Sequence, residues 1–533
     1  MRYVASREEM QQIDAYSINT MGIPGIVLME KAALALEEVF LERIPTDSRV
    51  LIVTEKGNNG GDGLALGRLL IEEGYQVDFY EIGVIPHDSD SHQIQKNILE
   101  QMEADFLMKF PEESYDVIVD AIFGVGLKRE VAGRHREVIE RLNQMDALKV
   151  AVDVPSGVDA STGQILGTAF QADLTVTFGL PKVGLILYPG ADVSGEVIVK
   201  EIGFPNKAVE EVAPKMISFT EEDLNKLPER KAWTNKGSYG KVLLIAGSKN
   251  MAGAAILSGM AAYKSGSGLV HIFSSEENRV ILQEKLPEAI LTTYDSEEKA
   301  WELLPEALSW ASVIGIGPGI GQSIFSKQLV KQVLTFGKVP LVIDADGLNN
   351  LAVLLKNDEE AKQLFSEYEG GIILTPHLKE MSRLIQEEVM EIQKNLPKTA
   401  SQIADKGHVI VLKDARTIVS DGSDPSYINM SGDNGMATGG SGDVLTGIIC
   451  GFLAGGLDIL TAARLGVYCH GLAGEAASEE KGYYSVLAGD LPNYLEKILK
   501  KKYFPKEREK RKNIRILMTF TGNTSFKKKS KME

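Results

Sequence analysis

Only two cysteines, Cys450 and Cys469, occur in 533 residues. They form no metal-spaced pair and no disulfide framework, so a reducing, cytoplasmic setting is expected. Positive charge is also in deficit: 57 Lys and Arg against 74 Asp and Glu give a formal net charge of -17. A surface of that sign repels a phosphate backbone, which excludes a general nucleic-acid binder but not an anionic small ligand held by local donors. Long apolar runs are missing as well. Met1-Arg2 and Ser6-Arg7-Glu8-Glu9 lack the apolar core of a signal peptide. The most apolar stretch, Val444–Leu457, is too short and glycine-rich to span a bilayer, so it reads as a buried helix and no membrane partner is expected. The first glycine-rich turn carries neither Gly-x-Gly-x-x-Gly nor a Gly-Lys-Ser/Thr P-loop.

What is present is an alternation of Val- and Ile-rich runs with segments of helical length. The chain is too long for one core, and at roughly 100–200 residues per domain it implies two or three. In the first half the spacing predicts strands at Val50–Thr54, Val77–Tyr80, Val117–Val119, Val150–Val152 and Leu174–Phe178, with helices such as Leu64–Glu73 and Glu137–Met145 between them. In the second half strands are expected at Val242–Ala246, Leu269–Phe273, Ser312–Ile316, Leu341–Ile343, Ile372–Leu374 and Val409–Leu412. Continuous apolar strands separated by helices imply parallel sheets covered on both faces, an α/β class. The polar stretch Asn206–Asn235, with Pro214 and Pro228, separates the halves, and the boundary is placed near Ser218. Domains are therefore expected at 1–218 and 219–499. Residues 500–533, with Lys500-Lys501-Lys502, Lys510-Arg511-Lys512 and Lys527-Lys528-Lys529, read as a solvated basic tail.

The strand at Val50 runs into Lys56-Gly57-Asn58-Asn59-Gly60-Gly61-Asp62-Gly63. Glycines at a strand-to-helix turn let backbone amides approach a phosphate, and a helix N-terminus favours negative charge. A tight turn with no ligand would need less polar equipment. Two further strands end in aspartate, at Asp120 before Ala121-Ile122-Phe123-Gly124-Val125-Gly126 and at Asp153 before Val154-Pro155-Ser156-Gly157. Ligands of open α/β sheets lie beyond the carboxyl ends of the strands, so these three turns would converge on one crevice. A single strand-end Asp is often only a cap or turn residue.

Asn58–Gly63, the Asp120 turn and Asp153-Val154-Pro155-Ser156-Gly157 together resemble the NAD(P)H-hydrate epimerase family, the YjeF N-terminal domain, over roughly residues 1–215. The resemblance implies a Rossmann-like three-layer αβα domain. It implies that Asn58, Asn59, Gly60, Gly61 and Asp62, with Gly124, Val125, Gly126, Leu127, Lys128, Arg129 and Glu130, contact a hydrated nicotinamide nucleotide. Asn59, Asp120 and Ser156 would bind K+, a hard cation that prefers oxygen ligands. Asp153 would contact the substrate near the reacting ring and is the candidate for proton transfer. Lys56 stands where relatives often have a small residue. It would attract phosphate or point to solvent.

In the second half, Asn434-Gly435-Met436-Ala437-Thr438-Gly439-Gly440-Ser441-Gly442-Asp443 precedes the apolar stretch. Glycine-rich backbone leading into a helix can stabilise a transferring phosphoryl group, and an Asp at the helix start can take a hydroxyl proton. Gly315–Gly321, Asp344–Asn349, Thr375–Glu380 and Leu412–Thr417 lie at strand ends. Taken singly, each is a common turn. Together they are similar to the ADP/ATP-dependent NAD(P)H-hydrate dehydratase family, of ribokinase-like αβα fold, over roughly residues 225–498. The resemblance implies that Ala254 or Ala255, Gly319, His377 and Asp443 contact the hydrate, Asp443 as the catalytic residue. Lys413, Asp414, Ala415, Arg416, Thr417 and Gly442 would contact the nucleotide, although Asp414 replaces the glycine usual in relatives. Mg2+ is expected with ADP or ATP.

The two halves imply one substrate pair, NADHX and NADPHX, the hydrated forms of NADH and NADPH. A homo-oligomer is a further family expectation. The alternative is a kinase for a vitamin precursor or sugar, fused to a non-catalytic Rossmann-like binding module. The joint presence of Asp120, Asp153 and Ser156 argues against that module, since fold alone does not fix function.

Overall fold

The computed structural model describes residues 1–85, 88–404 and 408–503. The described residues divide into two compact units, one made of Met1–Thr220 and Leu348–Met430, the other of Glu221–Gly347 and the segment from Ser431 to Tyr503.

In the first unit, seven strands form one sheet in the order Asp105–Phe106, Gln76–Glu81, Arg49–Thr54, Val117–Ala121, Leu148–Val152, Leu174–Phe178, Glu196–Lys200. Every pair is parallel. Successive side chains of a strand point to opposite faces, so Leu51 and Val53 join one core with Ile118, Ile139 and Leu142. Val50 and Ile52 join the other, with Leu36, Phe40, Leu64 and Phe79. Burial on both faces explains why these strands read as uninterrupted apolar runs. The register sets Val53 beside Asp120 and Val152 beside Val176, so the turns after these strands open on one edge of the sheet.

The same unit holds a second run of strands, ordered Arg2–Val4, Met216–Ser218, Ser426–Ile428, Ile418–Ser420, His408–Leu412 and Ile372–Leu374. Tyr3 pairs antiparallel with Ile217, and Ile217 pairs parallel with Tyr427. The second unit contains five parallel strands in the order Leu341–Ile343, Val313–Ile316, Lys241–Ile245, Leu269–Ser275, Ile290–Tyr294. Its helices Ala252–Lys264 and Ser441–Ala454 cross closely. A Cβ on Gly447 would stand 2.1 Å from the Ser258 carbonyl oxygen, and one on Gly451 would stand 2.6 Å from the Ser265 Cβ. Gly447 and Gly451 are therefore packing residues.

All eleven expected strands are present within one or two residues at each end. Two expectations are corrected. The helix foreseen from Leu64 begins at Asn58 and ends at Glu72, so Gly60, Gly61 and Gly63 lie in its first turns rather than in a loop. A Cβ at Gly60 would meet the Glu55 carbonyl oxygen at 1.8 Å, one at Gly61 the Met29 Cε at 2.4 Å, and one at Gly63 the Ala121 Cβ at 2.4 Å. The cost of glycine in a helix is offset by close approach to the protein beneath. The basic tail foreseen from Lys500 begins inside a helix, Leu491–Tyr503, and its runs at Lys510–Lys512 and Lys527–Lys529 lie outside the described residues. No helix among the described residues is long and apolar enough to cross a membrane.

Candidate active sites

In the first unit, a cavity of about 710 Å3 opens at the edge of the seven-stranded sheet. Asn58, Asn59, Asp62, Gly124, Val125, Gly126, Leu127, Lys128, Arg129 and Asp153 all line it. Four sequence candidates do not meet the expectation of direct contact in the same way. Gly60 and Gly61 are buried against their own fold. Glu130 is exposed and stands beside Gly167. Lys56 pairs with Asp88 at 3.3 Å and is no free phosphate anchor.

Asp120 and Ser156 form a buried polar knot beside the cavity. Asp120 Oδ2 accepts from the Ser156 backbone N–H at 2.7 Å, and Oδ1 accepts from Ser156 Oγ at 2.6 Å and from the Ile122 N–H at 3.2 Å. The Phe123 N–H donates to Ser156 Oγ at 2.8 Å. Burial pushes the Asp120 carboxyl up to about 6, against the downward pull of these hydrogen bonds. Asn59 lies close by. A Cβ on Gly124 would meet its Oδ1 at 2.5 Å, so a side chain there would push Asn59 aside. Asn59 Nδ2 is buried and finds no hydrogen-bond partner among the described residues.

Asp153 follows the Leu148–Val152 strand in the left-handed region, with φ of 65°, a conformation uncommon outside glycine. Its N–H donates to the Val176 carbonyl at 2.8 Å. Sequence reasoning missed its partner: Lys182, 1% exposed, places Nζ 2.6 Å from Asp153 Oδ1. Lys182 lies in the turn after the Leu174–Phe178 strand, on the same sheet edge, so the strand-end rule that selected Asp153 had the means to find it. Asp14, from the Arg7–Ala15 helix, also lines the cavity, and burial raises its carboxyl. Asp62 is pushed well above the ordinary carboxylate range, first by burial and then by the charges of Asp153 and Asp14, with Lys182 opposing.

The candidates of the second motif set fall in two groups. Within the first unit, His377 caps the Leu378–Ile385 helix: its Nδ1 accepts from the Lys379 and Glu380 N–H groups at 3.1 and 3.3 Å. The Lys413 N–H donates to the Pro376 carbonyl at 2.8 Å, which brings the His377 turn and Lys413 together. Lys413–Thr417 form the turn of a hairpin between His408–Leu412 and Ile418–Ser420. Asp414 and Ala415 are exposed at its tip, while Arg416 is anchored to the Met430 carbonyl at 3.1 Å.

Within the second unit, Gly319 takes φ of 65°, and a Cβ there would lie 3.0 Å from the Cβ of Ala254. Its carbonyl accepts from the Ser248 N–H at 2.6 Å. Ala254 keeps a little exposure and Ala255 has none, so Ala254 is the one of the pair able to touch a ligand. Leu257 of the same helix touches Gly440, whose φ is 94°. Gly440 caps the Ser441–Ala454 helix without a side-chain hydrogen bond, and Gly442 and Asp443 stand in the first turn. The N-terminus of a helix, where backbone N–H groups point outward, suits an anion.

The family described as YjeF-related protein N-terminus matches residues 25–184, and the family described as NAD(P)H-hydrate dehydratase matches residues 242–499. A bifunctional NAD(P)H-hydrate repair enzyme of Moorella thermoacetica is 37% identical over 521 residues, covering 93% of this chain and 97% of that protein. The protein of the same name from Escherichia coli is 31% identical over 517 residues, covering 95% and 96%. Among solved structures, an ADP/ATP-dependent NAD(P)H-hydrate dehydratase from Bacillus subtilis, co-crystallised with ATP and magnesium, is 34% identical with a TM-score of 0.47, covering 53% of this chain and 97% of that one.

Proposed function

The chain belongs to the family of bifunctional NAD(P)H-hydrate repair enzymes, and we propose from that premise which of its residues perform each activity. It is an NAD(P)H-hydrate epimerase, an isomerase, joined to a nucleotide-dependent NAD(P)H-hydrate dehydratase, a lyase. The kinase alternative is set aside, because the relatives match both halves of the chain. We assign epimerisation to residues 1–218 and dehydration to 219–499. The observation that carries the epimerase reading is the cavity uniting Asn58, Asn59, Asp62, Gly124–Arg129 and Asp153.

The hydrate bears a hydroxyl on the carbon beside the ring nitrogen. The nitrogen lone pair expels it, the departing oxygen takes a proton and leaves as water, and water returns on the opposite face and gives its proton up. Asp153 carries protons at this centre, and the cavity's amide and amide-side-chain donors hold the nucleotide. A potassium site at Asn59, Asp120 and Ser156 suits the donor set. The groups that act on the Asp120 carboxylate are hydrogen-bond donors, so a monovalent cation would neutralise a buried charge with oxygen ligands close by.

In dehydration, Asp443 takes the proton of the hydrate's hydroxyl as a phosphoryl group is transferred to that oxygen. Phosphate is a better leaving group than hydroxide, and the ring nitrogen expels it to regenerate the dihydronicotinamide. The Gly439–Gly442 backbone stabilises the transferred charge, and Lys413–Thr417 hold the nucleotide. Magnesium would arrive with the phosphates of ADP or ATP. No group of three or more His, Cys, Asp or Glu among the described residues could hold a metal ion, and magnesium commonly keeps waters and substrate phosphates as ligands. ADP is the donor we favour. The free, buried thiols of Cys450 and Cys469 suit the cytoplasm. Val27, Leu34 and Leu41 of the Gly25–Arg43 helix are 43%, 46% and 47% exposed at seven-residue spacing, a stripe that a second copy in a homo-oligomer would cover.

The test of the epimerase assignment uses the pure R hydrate with potassium and no nucleotide, resolved by chromatography over time. The wild type is expected to produce the S epimer, and a folded Asp153→Asn protein to produce it at least about 100-fold more slowly. Wild-type speed in the variant would remove Asp153 from the reaction.

A further inference from the structure

Lys182 is an unusual residue to bury, since a lysine without partners would lose its charge rather than its water. Here each donor of the ammonium group has an acceptor. Nζ donates to Asp153 Oδ1 at 2.6 Å, to Thr177 Oγ1 at 2.8 Å and to the Phe178 carbonyl at 2.7 Å. Three donors meet three acceptors. Lys182 is therefore spent on holding, although it lines the cavity.

What it holds is one oxygen of Asp153. Oδ1 accepts from Lys182, from Thr177 Oγ1 at 3.0 Å and from the Phe178 N–H at 3.3 Å. Among the described residues, the hydrogen bonds of this carboxylate all fall on Oδ1. The left-handed backbone at Asp153 and the bond from its N–H to Val176 fix the other end of the side chain. A carboxylate clamped at one oxygen, on a fixed backbone, in the wall of a cavity, presents its second oxygen in one direction.

The charged groups around it are Asp14 from the Arg7–Ala15 helix, Asp62 from the Asn58–Glu72 helix, Lys128 and Arg129 from the turn after the Val117–Ala121 strand, and Lys182. Two of these are carboxylic acids, and Asp62 feels Asp153 directly. Removing Lys182 would leave Asp153 buried among carboxyl groups, where taking up a proton relieves the repulsion.

We propose that Lys182 is a positioning residue for epimerisation: it fixes Asp153 through Oδ1, so that Oδ2 faces the nicotinamide ring and accepts the proton of the water that adds to it. This rests on the epimerase reading of the cavity. The proton for the departing hydroxyl has a source in the same cavity, the Asp62 carboxyl, whose hold on a proton is strengthened by burial and by the neighbouring charges. Asp62 gives one proton to the leaving hydroxyl and Asp153 receives one from the entering water, and exchange with solvent then removes the proton from Asp153 and restores one to Asp62 before the next turnover.

The experiment compares pH profiles of epimerisation for the full-length wild type, Lys182→Met, Thr177→Val and Asp153→Asn. Thermal unfolding and the KM for the hydrate serve as controls on folding. Lys182→Met is expected to keep KM within a few-fold, to lose about tenfold or more in kcat near neutrality, and to shift the acidic limb upward by about one pH unit or more. Activity lost near neutrality should return as pH rises, because Asp153 then ionises without its partner. A buried lysine that only supported the fold would give no such rescue. Thr177→Val removes one donor to Oδ1 and one acceptor of Nζ, so it is expected to shift the same limb in the same direction by less. If Lys182→Met does not fold, Thr177→Val alone decides. An unshifted acidic limb in the folded variants overturns the role of Lys182. Wild-type epimerisation by Asp153→Asn, in contrast, overturns the reading of the cavity on which it stands.

Discussion

Asp14, Asp62 and Asp153 share one cavity with Lys182, and the consequences belong to single residues. Asp62 is raised well above the ordinary carboxylate range, mainly by burial. A carboxyl raised in the folded state contributes stability that is present below its ordinary value and is lost as pH rises through the raised one. The Asp62→Asn protein has no such proton to lose. Its unfolding midpoint should therefore gain on the wild type as pH rises above the ordinary carboxylate value, while its epimerase activity falls. A constant difference across that range, read by calorimetry, would remove the buried ionisation from the account. Ser156→Ala tests the proposed potassium ligands. It deletes an oxygen and the 2.6 Å hydrogen bond to Asp120. The potassium concentration for half-maximal epimerisation should rise by about tenfold or more, with dehydration unchanged. A wild type that epimerises equally in sodium and potassium would contradict the site. The sequence displayed Asp153 and Asp120, because strand-end carboxylates are visible as pattern. Lys182, in the turn after the neighbouring strand, lay within reach of the same rule, whereas the high Asp62 was hidden because it arises from packing between segments far apart in the chain.

At the scale of elements, the Ser441–Ala454 helix carries Asp443 and rests on Ala252–Lys264 through glycine. A methyl group at Gly447 would strike the Ser258 carbonyl oxygen. Gly447→Ala should destabilise the protein by about 1–3 kcal/mol and lower dehydration by displacing Asp443, while epimerisation stays intact. Equal stability in denaturant titration would show that the two helices are not in close contact. Most strands could be read from the sequence for one physical reason: burial on both faces leaves an unbroken apolar run, as in Leu174–Phe178. Glu196–Lys200 escaped because its residues are exposed or half-buried and its ends are charged. Arg2–Val4, Met216–Ser218 and Ser426–Ile428 are three residues each, and only their pairing with one another identifies them as strands. The helix start at Asn58 was obscured by glycines that read locally as a turn but serve close approach.

At the scale of the whole molecule, joining the two activities in one chain makes both epimers of a damaged cofactor recoverable when dehydration accepts only the S form. Loss of one site should then leave a defined remainder. Asp443→Ala should abolish nucleotide-driven recovery of reduced cofactor while the epimers still interconvert. Residual recovery at wild-type rate in that variant would place the phosphoryl chemistry elsewhere. The most direct test of the joint assignment follows the absorbance of reduced nicotinamide. Each pure epimer of hydrated NADH is incubated with the protein, potassium, magnesium and either ADP or ATP. Full recovery is expected from both epimers, the R form after a lag, and recovery from the S form alone with Asp153→Asn. An R form that the wild type never recovers, or nucleotide consumed without reduced nicotinamide appearing, would contradict the joint assignment.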